Sequence, residues 1–315
     1  MRHFTLLFCI VFSLKAFSQK TETYYDYNWK PCDVLSARFF SVVEKKDTGW
    51  HRLDYFLANK QLQMDAMYED SACKIRNGKV VFFHPNGKLS EYSHFVHNKK
   101  EGVCVNFYSS GAIADSADYH DGIPIGVKLS WYRNGFIADS TAHVNDSIDV
   151  HMSWFDNGRP SSAGRYIKGR ANGKWKFFHK NGQLAAEEIY DHGRLTSKKY
   201  YDENGALKLD SAFSERSASF AGGPQGWKKF IEKNLYWPNG YRFVDGNMAV
   251  VVIQLIIDEE GKVEHAEVVT PFHPEFDRIA LKAIEQSPPW QPEIKHNRAV
   301  KYSLRQSVTF REIQQ

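Results

Sequence analysis

A chain of 315 residues, 42% apolar and 25% charged, is long enough for two packed domains and too ordinary in composition to be disordered or fibrous. A net charge of +4 with no basic run excludes the electrostatic footprint of a nucleic-acid-binding protein. A mean hydropathy of -0.51 excludes a polytopic membrane protein.

The N-terminus is the one apolar exception. Arg2 and His3 precede an apolar run from Phe4 to Leu14, and Lys15-Ala16-Phe17-Ser18 places small residues before Gln19. This is the pattern of a cleaved secretory signal peptide, residues 1–18, and too short for a span of ~20 apolar residues. Cys9 lacks the small neighbours of a lipobox, and export leaves Cys32, Cys73 and Cys104, enough for at most one disulfide. Residues 19–48, rich in Tyr and polar groups, are expected to cap an open sheet edge.

From residue 49 to 213 the chain repeats. Turn glycines stand at 87, 111, 135, 158, 182 and 205, at intervals of 24, 24, 23, 24 and 23. A fixed period of this size means stacked supersecondary units. Counting from each glycine, position −4 reads Phe83, Phe107, Trp131, Trp154, Phe178, Tyr201. Positions −6 and −8 of the middle units carry Val105 and Val103, Leu129 and Val127, Met152 and Val150, with mostly polar residues between. Position +2 reads Leu89, Ile113, Ile137, Pro160, Leu184, Leu207, and position +8 reads Phe95, Tyr119, His143, Tyr166, Tyr190, Phe213. Period-2 alternation assigns these columns to a buried face, and the Asn-Gly pairs predict two-residue hairpin turns. A weaker copy precedes them, with Phe56, Asn59, Leu62 and Tyr68 in the same columns.

The best unit, Gly173-Lys174-Trp175-Lys176-Phe177-Phe178-His179-Lys180-Asn181-Gly182-Gln183-Leu184, resembles the MORN-like repeats of the YwqK type. The resemblance spans about residues 49 to 215 and implies a scaffold that presents surfaces for binding.

A Ser-, Gly- and Pro-containing stretch, 214–225, reads as a linker. Beyond it, Trp227 to Leu235 suits a short helix, Met248 to Ile257 and Val263 to Val269 are strands joined at Asp258-Glu259-Glu260-Gly261, and Pro274 opens an amphipathic helix with Phe276, Ile279, Ala280, Ala283 and Ile284 on one face. Pro288-Pro289 stops it, and Val300 to Phe310 alternates as a last strand. The fold class is therefore mainly β: a stacked β-hairpin repeat sheet followed by a small α+β domain over 226–315.

Four features of this block resemble the TonB C-terminal domain: Tyr236-Trp237-Pro238, Ile257-Asp258-Glu259-Glu260-Gly261-Lys262-Val263, Phe276-Asp277-Arg278-Ile279-Ala280-Leu281-Lys282-Ala283, and Pro289-Trp290-Gln291-Pro292. Trp237 is an insertion relative to that family's Tyr-Pro. The resemblance implies a periplasmic module that grips N-terminal peptides of outer-membrane transporters by strand addition at the last strand, with Val300, Lys301, Tyr302, Ser303, Leu304, Arg305, Tyr236 and Pro238 as contact residues. The competing reading is an edge merely shielded by Lys301 and Arg305. With the signal peptide removed no membrane anchor remains, so partners are transporter peptides or other envelope proteins.

Catalytic signals are missing. The histidines show no ligand spacing, His84 and His179 recur at one turn position, and His143 fills an aromatic slot. Glu91, Asp115 and Asp139 share position +4, a ladder that solvated carboxylates explain better than a cation-dependent hydrolase. Nucleophile and phosphate-loop motifs are absent, and no cofactor or metal is expected. The sequence reads as a non-enzymatic periplasmic binding protein, or as an envelope scaffold without a transport role.

Overall fold

The computed structural model describes residues 20–145, 147–209, 215–242 and 248–312. The expected signal peptide, and Phe213 of the +8 column, lie outside them.

The repeats build one antiparallel sheet of seventeen strands. In chain order these are β1 (Lys20–Tyr25), β2 (Phe39–Lys46), β3 (Gly49–Phe56), β4 (Leu62–Tyr68), β5 (Arg76–Phe83), β6 (Leu89–Val96), β7 (Lys99–Lys100), β8 (Gly102–Phe107), β9 (Ile113–His120), β10 (Ile123–Trp131), β11 (Ile137–Asn145), β12 (Ile148–Trp154), β13 (Pro160–Ile167), β14 (Arg170–Phe178), β15 (Leu184–Asp191), β16 (Arg194–Tyr201) and β17 (Leu207–Lys208). Each pairs with the next along the chain except β7, since β6 pairs with both β7 and β8, so the units form a meander. The expected N-terminal cap takes the form of β1 laid along β2.

The Asn-Gly turns differ from the expected two-residue kind. Only the glycine is left-handed, as at Gly182 with φ +95°, and the loop spans three residues. It is closed by Gly182 N–H to His179 O (2.8 Å) and His179 N–H to Gln183 O (2.7 Å). The asparagine serves another purpose. Asn181 Oδ1 accepts from Gln183 N at 2.9 Å while its Nδ2 donates to Glu203 O of the next unit at 2.8 Å. Asn86 and Asn134 repeat both bonds. Two-residue turns occur at the joints between units instead, as at His97-Asn98, where both φ values are positive.

The buried face is also not the expected one. After each turn from Gly87 to Gly182 a bulge intervenes: Phe178 faces Leu184 and Phe177 faces Ala186, so Ala185 at position +3 is the extra residue; after Gly205 the register runs on unbroken. Ser90, Ala114, Ala138 and Ser161 occupy the same place. One added residue inverts the phase of everything after it. Position +8 therefore shares a face with positions −5 and −7, not with −4 and −6. Buried residues follow that phase: Val80, Phe95, Cys104, Ala117, Trp175, Phe177 and Tyr200. Val103, Val127, Val150 and Met152, expected inside, are exposed, Val127 at 52%.

The second part packs α1 (Gly223–Asn234) and α2 (Pro274–Glu285) on a three-stranded sheet of β18 (Met248–Ile257), β19 (Val263–Thr270) and β22 (Tyr302–Arg311), in the order β19-β18-β22. Its core joins Ile253, Leu255 and Ile257 of the central strand to Phe276, Ile279 and Ile284 of α2, all buried. Gly261, at φ +85°, lies against Trp290, and a Cβ there would sit 1.9 Å from Trp290 O. The stretch read as a linker is partly built in: Arg216 and Ser219 exchange backbone bonds with Ile294 and Gln291, and Phe220 enters the core. The single strand expected from Val300 to Phe310 breaks at Lys301. Arg298–Val300 (β21) folds back on Glu293–Lys295 (β20) as a separate hairpin with His296 and Asn297, both at positive φ, in its turn.

Candidate functional site

Among the described residues β22 pairs only with β18, so its outer edge offers unpaired main-chain groups. A groove of about 1230 Å³ runs beside its C-terminal half. One wall is Gln306, Ser307, Thr309 and Arg311; the other is Trp227 and Ile231 of α1 followed by Tyr236, Trp237 and Pro238. Tyr236 is 56% exposed, and Trp237 Nε1 donates to Tyr241 O at 2.8 Å, which holds the following loop against the wall. Apolar walls beside an open strand edge are the requirement for binding an extended peptide.

The residues expected at this site are divided by the structure. Tyr236 and Pro238 line the groove. Val300 pairs with Glu293 in the β20–β21 hairpin. Leu304 packs on the core, and Tyr302 pairs with Ile257 at the start of β22. Ser303 and Arg305 bond Gln254 of the adjacent strand. Lys301 bridges the two parts, its Nζ meeting Asp156 of the repeat sheet at 2.8 Å and Glu264 of β19 at 2.5 Å. The two carboxylates hold the Lys301 ammonium above its usual range although burial opposes this. The groove is lined by the C-terminal half of the strand, Gln306 to Arg311, whereas the contact residues expected from sequence lie at its start.

The second site is where the two parts of the chain meet. His296 stacks on Phe177 with ring centroids 3.7 Å apart, and its Nδ1 lies 2.9 Å from Glu188. Glu188 is 1% exposed in its side chain and also accepts from Tyr190 at 2.5 Å and Tyr200 at 3.4 Å. Burial pushes this carboxyl up, but the His296 and Tyr190 bonds outweigh it and leave it below its ordinary value. Asn297 Nδ2 donates to Ala185 O (3.0 Å) and Tyr201 O (2.8 Å). Arg298 Nη1 donates to Ser161 O (2.6 Å) and Phe178 O (2.5 Å), and burial lowers this guanidinium to about 10, still charged at neutral pH. Further along, Glu267 accepts from Arg133 at 2.9 Å and from Ser109, and Arg38 lies 4.3 Å from the Phe272 ring centroid. A cleft of about 630 Å³ lies between the two parts, lined by Tyr108, Asp115, Tyr132, Ile256, His265 and Ser303 among others.

The remaining candidates have partners within the repeat sheet. Glu91, Asp115 and Asp139 each have a donor, from Lys100 (3.4 Å), Asn106 (2.8 Å) and Thr141 (3.4 Å). His143 bonds Asp149 at 2.6 Å. His84 and His179 each bond a main-chain carbonyl of the next unit, Phe107 O and Tyr201 O. Cys32, Cys73 and Cys104 are free thiols, and among the described residues no three His, Cys, Asp or Glu side chains converge as metal ligands. Among the described residues no helix is long and apolar enough to cross a membrane.

Residues 245–311 match the Gram-negative bacterial TonB protein C-terminal family, and residues 76–97 and 171–192 match the MORN repeat variant. The first is an envelope module and the second a scaffold repeat. No curated protein matches the chain.

Proposed function

We propose that this is a non-enzymatic periplasmic binding protein whose C-terminal domain captures an extended peptide, such as the N-terminal segment of an outer-membrane transporter, on the open edge of β22. The observation that carries the reading is the groove beside that edge, with Tyr236 and Pro238 on its far wall. Main-chain bonds to β22 give affinity, and the aromatic wall selects side chains. A second reading, an envelope scaffold without a transporter, is favoured by the exposed apolar residues Val103, Val127, Val150 and Met152 on the outer face of the repeat sheet.

Calorimetry of the full chain with transporter N-terminal peptides tests the first reading. The expected result is micromolar binding that Tyr236→Ala weakens ~10-fold, the loss of one aromatic contact worth ~1.4 kcal/mol. Absence of binding to every such peptide by the folded chain leaves the scaffold.

A further inference from the structure

The contact between the two parts of the chain is written into the repeat. The pairing of β13 with β14 ends at Ser162 opposite Phe177, and that of β15 with β16 at Ala186 opposite Tyr200. Just past each end stand a bulge residue and the position −4 residue of the next unit, so two main-chain carbonyls come together there once per unit. At position −4 the carbonyl has a standing donor: the side chain at position −3 of the preceding unit. His84 reaches Phe107 O at 2.9 Å, Tyr108 reaches Trp131 O at 2.6 Å, Tyr132 reaches Trp154 O at 2.9 Å, and His179 reaches Tyr201 O at 3.0 Å. The unit that should serve Phe178 O has Phe155 at this position, and phenylalanine has no donor.

We propose that the repeat array is a receptor for the His296-Asn297-Arg298 turn of its own C-terminal domain, and that the missing donor at Phe155 sets the register in which the turn docks. Arg298 supplies what Phe155 cannot. Its Nη1 reaches Phe178 O at 2.5 Å and the adjacent bulge carbonyl, Ser161 O, at 2.6 Å, with the guanidinium 5.3 Å from the Phe155 ring centroid. Asn297 repeats the arrangement one unit further on, at Ala185 O and Tyr201 O. His296 fixes the tip by stacking on Phe177 and bonding Glu188. Asn297 of the turn and Arg298, the first residue of β21 after it, thus read consecutive units of the array.

The ligand class is therefore a tight turn presenting a carboxamide followed by a guanidinium. Both bonds come from one nitrogen of the guanidinium, Nη1, while its carbon lies 5.3 Å from the Phe155 ring centroid and 5.7 Å from that of Phe177, so the array reads a cation set between two aromatic rings. This inference is independent of whether the β22 edge binds a peptide. It assigns the array's inner face near β13–β16 to holding the C-terminal domain rather than to an outside partner.

The full chain carrying Phe155→Tyr tests it, because a tyrosine hydroxyl supplies Phe178 O from the array itself and competes with Arg298 Nη1 for that oxygen and for the space over the ring. Arg298→Ala breaks the same bond from the other side without touching the array. Both variants are expected to keep the strand circular dichroism, to show a larger radius of gyration by X-ray scattering, and to lower the melting transition of the C-terminal domain, which no longer has the array's support. A disulfide-cyclised peptide of residues 293–300 is the second probe. It should bind the Arg298→Ala chain, and adding Phe155→Tyr should weaken that binding ~10-fold or more, the loss of ~1.4 kcal/mol. Scattering and melting unchanged in both variants, or peptide binding indifferent to Phe155→Tyr, would overturn the proposal.

Discussion

The two parts of this chain are held together by different physics. The C-terminal domain buries a three-dimensional core: Ile253, Leu255, Ile257, Phe276 and Ile284 are all completely inaccessible, and they come from a strand and a helix that meet face to face. The repeat array has no second layer over most of its length. Its buried clusters sit in separate units, one around Val80 and Phe95 and another around Trp175, Phe177 and Tyr200. Between them the same face carries Asn106, Ser130, Thr141 and Ser153, which bury little apolar area. What runs along the array instead is hydrogen bonding: strand ladders, asparagine bonds across most of the turns, and a donor at position −3 of each unit from His84 to His179 except at Phe155. A domain with one core fails as a whole. An array fails unit by unit, because each unit touches only its neighbours.

The comparison breaks most visibly at Phe276. Its ring is fully buried and meets Trp237, Tyr241, Phe272 and Phe310 edge-on at centroid distances of 5.0 to 5.4 Å. Phe276→Ala should cost ~3–5 kcal/mol, the transfer of the ring plus the cavity it leaves. In thermal melts that loss should fall on the C-terminal domain while the array's strand signal persists to its own transition. A joint collapse of both at the lowered temperature would show that the array borrows its stability from the domain.

The same contrast explains what could be read from sequence. The C-terminal domain was legible because its elements have unbroken periods: ten nearly continuous β-formers in β18, and the i, i+3, i+4 pattern of α2, whose expected buried residues are the ones found inside. The repeat period and its turns were equally plain. The buried face was not. Alternation is a reliable guide only while the phase holds, and the bulge at position +3 changes it in each unit from Gly87 to Gly182, at a small residue that carries no conspicuous signal of its own. The glycine of each turn was read correctly as left-handed; the asparagine was assigned a backbone role and has a side-chain one. The contact between the parts was beyond sequence reasoning for a different reason. Arg298 and Phe155 are 143 positions apart, and nothing in either local pattern says that a missing donor in one is supplied by the other.

A smaller effect sharpens the comparison from the electrostatic side. Asp277 is half-buried near the start of α2; burial pushes its carboxyl up to about 6, against the bonds it accepts from backbone N–H groups, that of Phe272 at 2.8 Å among them. A raised carboxyl binds its proton more readily folded than unfolded, so its contribution favours the folded state most below about pH 4 and is lost as pH rises through about 6. Asp277→Asn keeps an acceptor for Phe272 and removes the charge. Urea melts of the C-terminal transition should show a gain of ~1–2 kcal/mol at pH 7.5, discounted from the full linkage value because the group is partly solvated, and less at pH 5. A loss at pH 7.5 would mean that the attraction of the nearby Arg38 cation outweighs the burial.

The smallest expected effect is the most direct test of the face assignment. Val127 pairs with Ala142 across β10 and β11, and by simple alternation with Leu129 it belongs inside. In the structure it is 52% exposed, and its neighbour Lys128 lies on the inner face of a unit with little apolar filling. Val127→Ser therefore removes one β-branched methyl pair from solvent contact rather than from a core. It should change stability by no more than ~0.5 kcal/mol, the range of ordinary surface substitutions, with part of that from lower strand propensity. A buried valine truncated and made polar would instead cost several times as much, because the hydroxyl would need a partner the strand cannot give. Paired with Cys104→Ser, whose side chain is 4% exposed on the opposite face, the experiment has a built-in reference. If Val127→Ser proves the costlier of the two, then something covers the outer face in solution, and the apolar residues there are a contact surface rather than a by-product of the bulge.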